Sequence, residues 1–227
     1  VLGYVQEDMA EICGLKPGTP IVLGSFDHPS AARGVGVLEE GQMLLSCGTS
    51  WVIFYPIQER QKALSAKLLI DPFLSPKGPY GTMTSIASLS EKLQNCIAGL
   101  LGESDAPFVM LSSLASQSTP GANGLLIDPT DPPACVDDSY TKMDIARAIM
   151  EGTVRLLKDR MNQLAKYGIT ATAAVMVGGP SEDPMWLRLI EDICGISVKV
   201  IHGATAGAVG AAVIAGIGAG IYADEKT

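Results

Sequence analysis

The chain has 227 residues, 47% of them hydrophobic and 18% charged, enough for one large or two small α/β domains and too apolar for a disordered chain. A formal net charge of -8, with the acids scattered, argues against nucleic acid and anionic membrane as partners. Five widely spaced cysteines without a Cys-x-x-Cys pair, beside only two histidines, leave no Cys/His zinc pattern and point to a reducing, cytoplasmic setting.

The first residues, Val1-Leu2-Gly3-Tyr4, carry no initiator Met and no signal pattern, and read as the interior of a longer chain. Glu7 to Cys13 predicts a short helix closed by Gly14, and Lys16 to Pro20 a turn into a first strand. That apolar strand, Ile21-Val22-Leu23-Gly24-Ser25-Phe26, ends on Asp27, and the small residues from Ser30 to Val37 predict a short helix packed close to a sheet. Met43 to Cys47 and Trp51 to Tyr55 are β-rich runs on either side of Gly48-Thr49-Ser50, a hairpin pattern. Residues 56–85 hold four prolines that break any long element. Ile86 to Leu101 has apolar residues at helical spacing with Gly102 as a stop, and Phe108 to Leu111 reads as a short strand.

Gly121 to Pro129 reads as a turn into a strand, and 128–139 as a Pro- and Asp-rich loop. Met143 to Tyr167 is the longest predicted helix, closed by Gly168. The remainder alternates: strand Ala173 to Val177, helix Ser181 to Cys194, strand Val198 to Ile201, then an Ala/Gly helix from Gly203 to Ala223. Such β-α-β-α order predicts an α/β fold with parallel pairing near its end. The Ala/Gly stretch is uncharged, with Gly216 and Gly220 in Gly-x-x-x-Gly spacing. It has too few large apolar residues to favour lipid, so a helix pressed against a sheet is expected rather than a membrane span.

Three features carry chemistry. Asp27 at a strand end can take a proton from an attacking hydroxyl. Gly48-Thr49-Ser50 can offer backbone N–H and hydroxyl donors to phosphate oxygens. Gly178-Gly179, between a strand and a helix, can present free N–H groups at the helix start. Each also has a plain structural reading. Asp27 suits a helix N-cap, the hydroxyl turn suits a tight hairpin, and the glycine pair suits a close strand-to-helix turn. His28 reads as a turn or capping residue, and Trp186 as a packing residue on the following helix. Gly-x-x-x-x-Gly-Lys-Ser/Thr and Gly-x-Ser-x-Gly are missing, and Gly34-x-Gly36 lacks the third glycine of a dinucleotide fingerprint.

Taken together, the blocks resemble the C-terminal domain of the FGGY carbohydrate kinases, the group that contains glycerol kinase and xylulokinase. GLKPGTPIVLGSFDHPSAARGVGV is similar to the lead-in, catalytic aspartate and small-residue helix of that family. LLSCGTSWVIF is similar to its second phosphate motif. GANGLLIDP, RAIMEGTV, VGGPSEDPMWLRLIEDICGISVKV and GAVGAAVIAGIGAGIY follow in the family's order, so the resemblance runs nearly end to end and implies that residues 1–227 are that one domain.

The resemblance implies an actin-like ATPase, ribonuclease H-like fold, a mixed sheet flanked by helices, with ATP and a sugar or polyol between two domains. It makes Asp27 the base that deprotonates the sugar hydroxyl, also close to Mg²⁺, with His28 beside the sugar. Gly48, Thr49 and Ser50 become phosphate contacts, Gly178 and Gly179 line the adenosine end, and Asp183 stands near the base or ribose. Two departures follow. A Gly-Glu-Arg-Thr-Pro segment of the family is rewritten here as TDPPACVDDSY, and the N-terminal sugar-binding domain is absent from this sequence. The first reading is therefore the nucleotide-binding half of a sugar or polyol kinase, with a homodimer left open. The second is a non-catalytic nucleotide-binding or regulatory protein on the same fold.

Overall fold

The computed structural model describes residues 1–201 and 205–226. In chain order the elements are β1 (Gly3–Tyr4), α1 (Glu7–Cys13), β2 (Pro20–Ile21), α2 (Asp27–Gly34), β3 (Gly41–Cys47), β4 (Trp51–Ile57) and α3 (Arg60–Ser65). They continue as β5 (Leu69–Pro72), β6 (Tyr80–Ile86), α4 (Leu89–Leu101), α5 (Pro107–Ala115), α6 (Lys142–Ala165), β7 (Ala171–Gly178), α7 (Pro184–Cys194), β8 (Ser197–Val200) and α8 (Ala206–Gly218). Short 3₁₀ turns lie at Ala122–Gly124 and Gly179–Glu182.

Six strands form one mixed sheet in the order β5-β6-β4-β3-β7-β8. The β5-β6-β4-β3 portion is antiparallel, while β7 joins β3, and β8 joins β7, in parallel. Alternation along the strands gives each face its own core. Met43, Leu45, Cys47, Ile53 and Tyr55 pack under α4, α5, α6 and α7, whereas Leu44, Phe54 and Val177 pack under α2 and the start of α8. β1 and β2 pair with each other in a separate two-stranded sheet.

The structure corrects three expectations and fills in residues 56–85. The run before Asp27 is not a strand of the main sheet: only Pro20–Ile21 is paired, Leu23 and Phe26 are exposed, and Asp27 is the first residue of α2. An apolar run becomes a strand only when a neighbour completes its ladder, and here the neighbour is two residues long. Phe108 to Leu111 is helical, because Pro107 starts α5 and Leu111 and Ala115, one turn apart, are its buried residues. Residues 125–129 form no strand, since Asn123 turns left-handed and the segment docks on α6 instead. Residues 56–85, where the prolines leave no long element, hold the short α3 and β5 and most of β6. Pro56 is tolerated inside β4 because the β3 ladder stops at Phe54, so the missing N–H costs no bond on that side.

The Ala/Gly helix is shorter than expected, and the expected start at Gly203 lies outside the described residues. It is buried on one face only, at Ala206, Gly210 and Gly216. That face meets α2: a methyl group on Gly210 would strike the Ser30 carbonyl, and one on Gly34 the Ala206 carbonyl. Among the described residues no helix is long and apolar enough to cross a membrane.

Candidate functional site

β3 and β7 are parallel neighbours whose last residues, Cys47 and Gly178, stand opposite each other. The turns that follow, Gly48-Thr49 and Gly179, therefore leave the sheet side by side. The carboxyl ends of parallel strands are where open α/β sheets place ligands. Here they open into a cavity of about 900 Å³. Gly48 and Thr49 form one rim and Gly179 and Asp183 another, with Ser90, Glu91, Gln94, Phe108, Ser112 and Ser113 of α4 and α5 as the far wall.

Local bonds fix the rims. The Ser90 hydroxyl donates to the Gly48 carbonyl at 2.6 Å, and the Ser90 N–H to the Thr49 carbonyl at 3.1 Å. Ser50 does not line the cavity; its hydroxyl accepts the Ser88 N–H at 3.0 Å and so ties the hairpin to the start of α4. On the other rim the Ser181 hydroxyl donates to the Gly178 carbonyl at 2.7 Å, closing the 3₁₀ turn. Asp183 caps α7 by accepting the Met185 N–H at 2.8 Å, and Pro184 occupies the first turn of that helix. Gly178 does not line the cavity but shapes it from behind, with φ near 100° and its Cα against the Cys47 backbone.

The floor is apolar. Trp51 and Trp186 meet edge to face at 5.4 Å, so Trp186 is the packing residue expected of it while also lining the cavity. The Trp51 indole nitrogen is buried without a hydrogen-bond partner among the described residues. Burial pushes the Cys47 thiol well up, which keeps this lining residue protonated and unreactive. The charged lining residues are Glu91, Glu182 and Asp183, with no Lys, Arg or His among the lining side chains described. Such an acceptor set suits a ligand with an apolar ring and hydroxyl or amino donors. An anionic ligand would be met here by backbone N–H groups and hydroxyls.

Asp27 and His28 do not line this cavity. They open α2, in the layer on the other face of the sheet from α4 and α5. The Asp27 side chain is 84% exposed, its Oδ1 accepts the His28 N–H at 2.9 Å, and its Oδ2 lies 3.9 Å from His28 Nε2. Among the described residues no three acidic, Cys or His side chains come together to hold a metal ion.

Two of the sequence blocks are explained by packing. In GANGLLIDP and RAIMEGTV, the Asn123 amide donates to Asp144 at 2.8 Å and the Gly121 N–H to Glu151 at 2.9 Å. Glu151 also pairs with Arg147 at 2.7 Å, and Gly152 leaves room for the Ile127 carbonyl. None of residues 121–140 lines the cavity, so the rewritten TDPPACVDDSY segment does not line it. The wall from α4 and α5 was missed from sequence, because α5 read as a strand and nothing local links it to Gly48.

The mixed sheet flanked by helices, with a cavity at the β3 and β7 ends, defines an α/β protein with a ligand-sized site, and comparison with known proteins assigns it the actin-like ATPase fold expected from the resemblance. Residues 43–219 match the model of the FGGY family of carbohydrate kinases, C-terminal domain, and the chain belongs to that family. An autoinducer-2 kinase from Escherichia coli is 27% identical over 250 aligned positions, which cover 98% of this chain and 46% of the relative. The crystal structure of xylulose kinase from Rhodospirillum rubrum superposes with a TM-score of 0.81 at 26% identity, covering 96% of this chain and 46% of that one. A glycerol kinase from Plasmodium falciparum shares the fold, with a TM-score of 0.68 at 18% identity over 88% of this chain and 43% of that one. The chain thus spans about half the length of these proteins. Residues 1–42, Asp27 included, fall outside the matched family region.

Proposed function

We propose that residues 1–227 form the nucleotide-binding half of a carbohydrate kinase that phosphorylates a sugar or polyol hydroxyl with Mg-ATP. The observation that carries this reading is the meeting of Gly48-Thr49 and Gly179 at one cavity of about 900 Å³, within the size range of small-molecule sites. ATP fits the residues present. The apolar floor and the face of Phe108 suit a base, and Glu91, Glu182 and Asp183 suit the hydroxyls of a ribose. Thr49 and the open backbone at Gly179, where a Cβ would meet nothing within 4 Å, suit phosphate oxygens. Mg-ATP supplies the phosphoryl group and the metal charge. Asp27 would accept the proton of the attacking hydroxyl as its oxygen bonds the γ-phosphorus of bound ATP, while the bond from that phosphorus to the bridging oxygen breaks and ADP leaves.

That step needs a second wall. Asp27 is solvent-exposed and, among the described residues, belongs to no cluster able to hold a metal ion, and Leu23 and Phe26 beside it are 69% and 70% exposed. An apolar surface next to a carboxylate suits coverage by a sugar-binding domain, which the relatives' greater length accommodates. Five free cysteines suit a reducing, cytoplasmic setting. The test is to incubate these 227 residues with ATP, Mg²⁺ and a panel of pentoses, hexoses and polyols, alone and with the N-terminal half restored. Sugar phosphate only in the second case supports the reading. Turnover by the 227 residues alone, or none by the reconstituted enzyme with any sugar, contradicts it.

A further inference from the structure

Among the described residues, the Asp27 side chain meets only the N–H and ring of the adjacent His28. Where the carboxylate stands is therefore set by the backbone turn that delivers it, residues 25–28. Two buried side chains of α2 bind this turn: the Ser30 hydroxyl donates to the Ser25 carbonyl at 3.5 Å, and Arg33, from the last turn, reaches it from further along the helix.

Arg33 reaches in four directions. Its Nη1 donates to the Ser25 hydroxyl and to the Pro29 carbonyl, each at 3.4 Å, on either side of Asp27. Nη2 donates to the Phe73 carbonyl, after β5, and the guanidinium lies over the Phe73 ring at 4.5 Å. Nε pairs at 3.4 Å with Glu225 in the C-terminal tail. The tail is itself anchored, by Lys226 to Glu39 at 2.6 Å and by the Tyr222 ring against Gly216. A planar guanidinium with five fixed donors can hold several segments in one geometry, which a lysine cannot.

We propose that Arg33 is a positioning residue, which with Glu225 of the tail holds the Ser25–Phe26 turn and so fixes the Asp27 carboxylate for proton transfer. The inference rests on the reading of Asp27 as the base. It assigns the C-terminal tail a part in catalysis through Arg33, although neither Arg33 nor Glu225 lines the cavity. Proton transfer depends on geometry, and a misplacement of 1 Å costs about 10²-fold. Loss of one strut should cost less.

The test is steady-state kinetics of the full-length kinase with Ser25→Ala and Glu225→Gln, each in the wild-type and in the Asp27→Asn background. Each substitution should lower kcat roughly 3- to 30-fold per folded molecule, with KM for ATP within about twofold. In the Asp27→Asn background neither should lower the residual rate further, because their effect passes through Asp27. Arg33→Lys should behave like Glu225→Gln or worse, and its folded fraction is read from the melting curve. An equal fold-loss in both backgrounds overturns the proposal, as does a normal kcat per folded molecule. If Asp27→Asn silences the enzyme while Ser25→Ala and Glu225→Gln turn over normally, the positioning role fails and the base survives. If Asp27→Asn itself turns over normally, both fall.

Discussion

Gly178 sits with its Cα against the backbone of Cys47, at φ near 100°, where a Cβ would collide with the Cys47 carbonyl. This contact joins the ends of β3 and β7 and sets the spacing of the two rims of the cavity. Gly178→Ala should destabilise the domain by about 2–4 kcal/mol, from the left-handed backbone and the displaced neighbour. Gly179→Ala is the matched control, since its Cβ would point into open space. It should fold within about 0.5 kcal/mol of wild type yet bind ATP more weakly, because the methyl group occupies the approach to the backbone. Urea denaturation and calorimetric titration of both variants check the pair.

The α2–α8 crossing gives a second contrast within two adjacent residues. Gly210 is buried against Ser30, whereas Ala211 is exposed. Gly210→Ala should cost about 1–3 kcal/mol by overpacking. Ala211→Leu should stay within about 0.5 kcal/mol, although sequence alone makes the two positions look equivalent. Thermal melts distinguish them.

A third prediction concerns acid stability. Asp144 accepts hydrogen bonds from Ser118, Thr141 and Asn123, which hold its carboxyl at about 2 rather than its ordinary 3.8. The folded state therefore favours the charged form. Its stabilisation is fully present above about pH 4 and is lost as pH falls through about 2. Asp144→Asn should lower the urea midpoint most at neutral pH, and the gap to wild type should close between pH 4 and 2. A gap independent of pH would contradict the assigned bonds.

How much of this was legible in the sequence follows from the range of each interaction. The β3–β4 hairpin and the β7-α7-β8 alternation were readable because their turns carry glycines and hydroxyls and their strands alternate. Asp27 was placed at a strand end because an apolar run precedes it; the ladder that would make it a strand depends on a partner far along the chain. Phe108 to Leu111 looked like a strand because β-branched and large apolar residues cluster there, and only Pro107 signalled a helix start. Gly48, Thr49 and Gly179, which line the cavity, were singled out by their local turn chemistry, and Asp183 by the family resemblance. Glu91, Gln94, Ser112 and Ser113 were not, since only the packing of α4 and α5 brings them to the same cavity. The actin-like fold and the family were legible from several ordered blocks, and two of those blocks proved to be packing partners around Asp144 and Gly152.

For the full-length enzyme, Asp27→Asn should lower kcat by roughly 10²- to 10⁴-fold with little change in ATP affinity, the loss of a general base. Rapid-quench measurement of the phosphoryl-transfer step checks it. An equal loss of ATP binding would give Asp27 a metal-binding or structural role instead.

The central claim is that the cavity between Gly48-Thr49 and Gly179 binds the nucleotide. The most direct test is titration of the ¹⁵N-labelled 227-residue chain with Mg-ATP, followed residue by residue by NMR. The account predicts saturable shifts at Gly48, Thr49, Phe108, Ser112 and Gly179, with an affinity near millimolar, about -4 kcal/mol. Shifts confined to other surfaces, or none at ATP concentrations of roughly 10 mM, would contradict it.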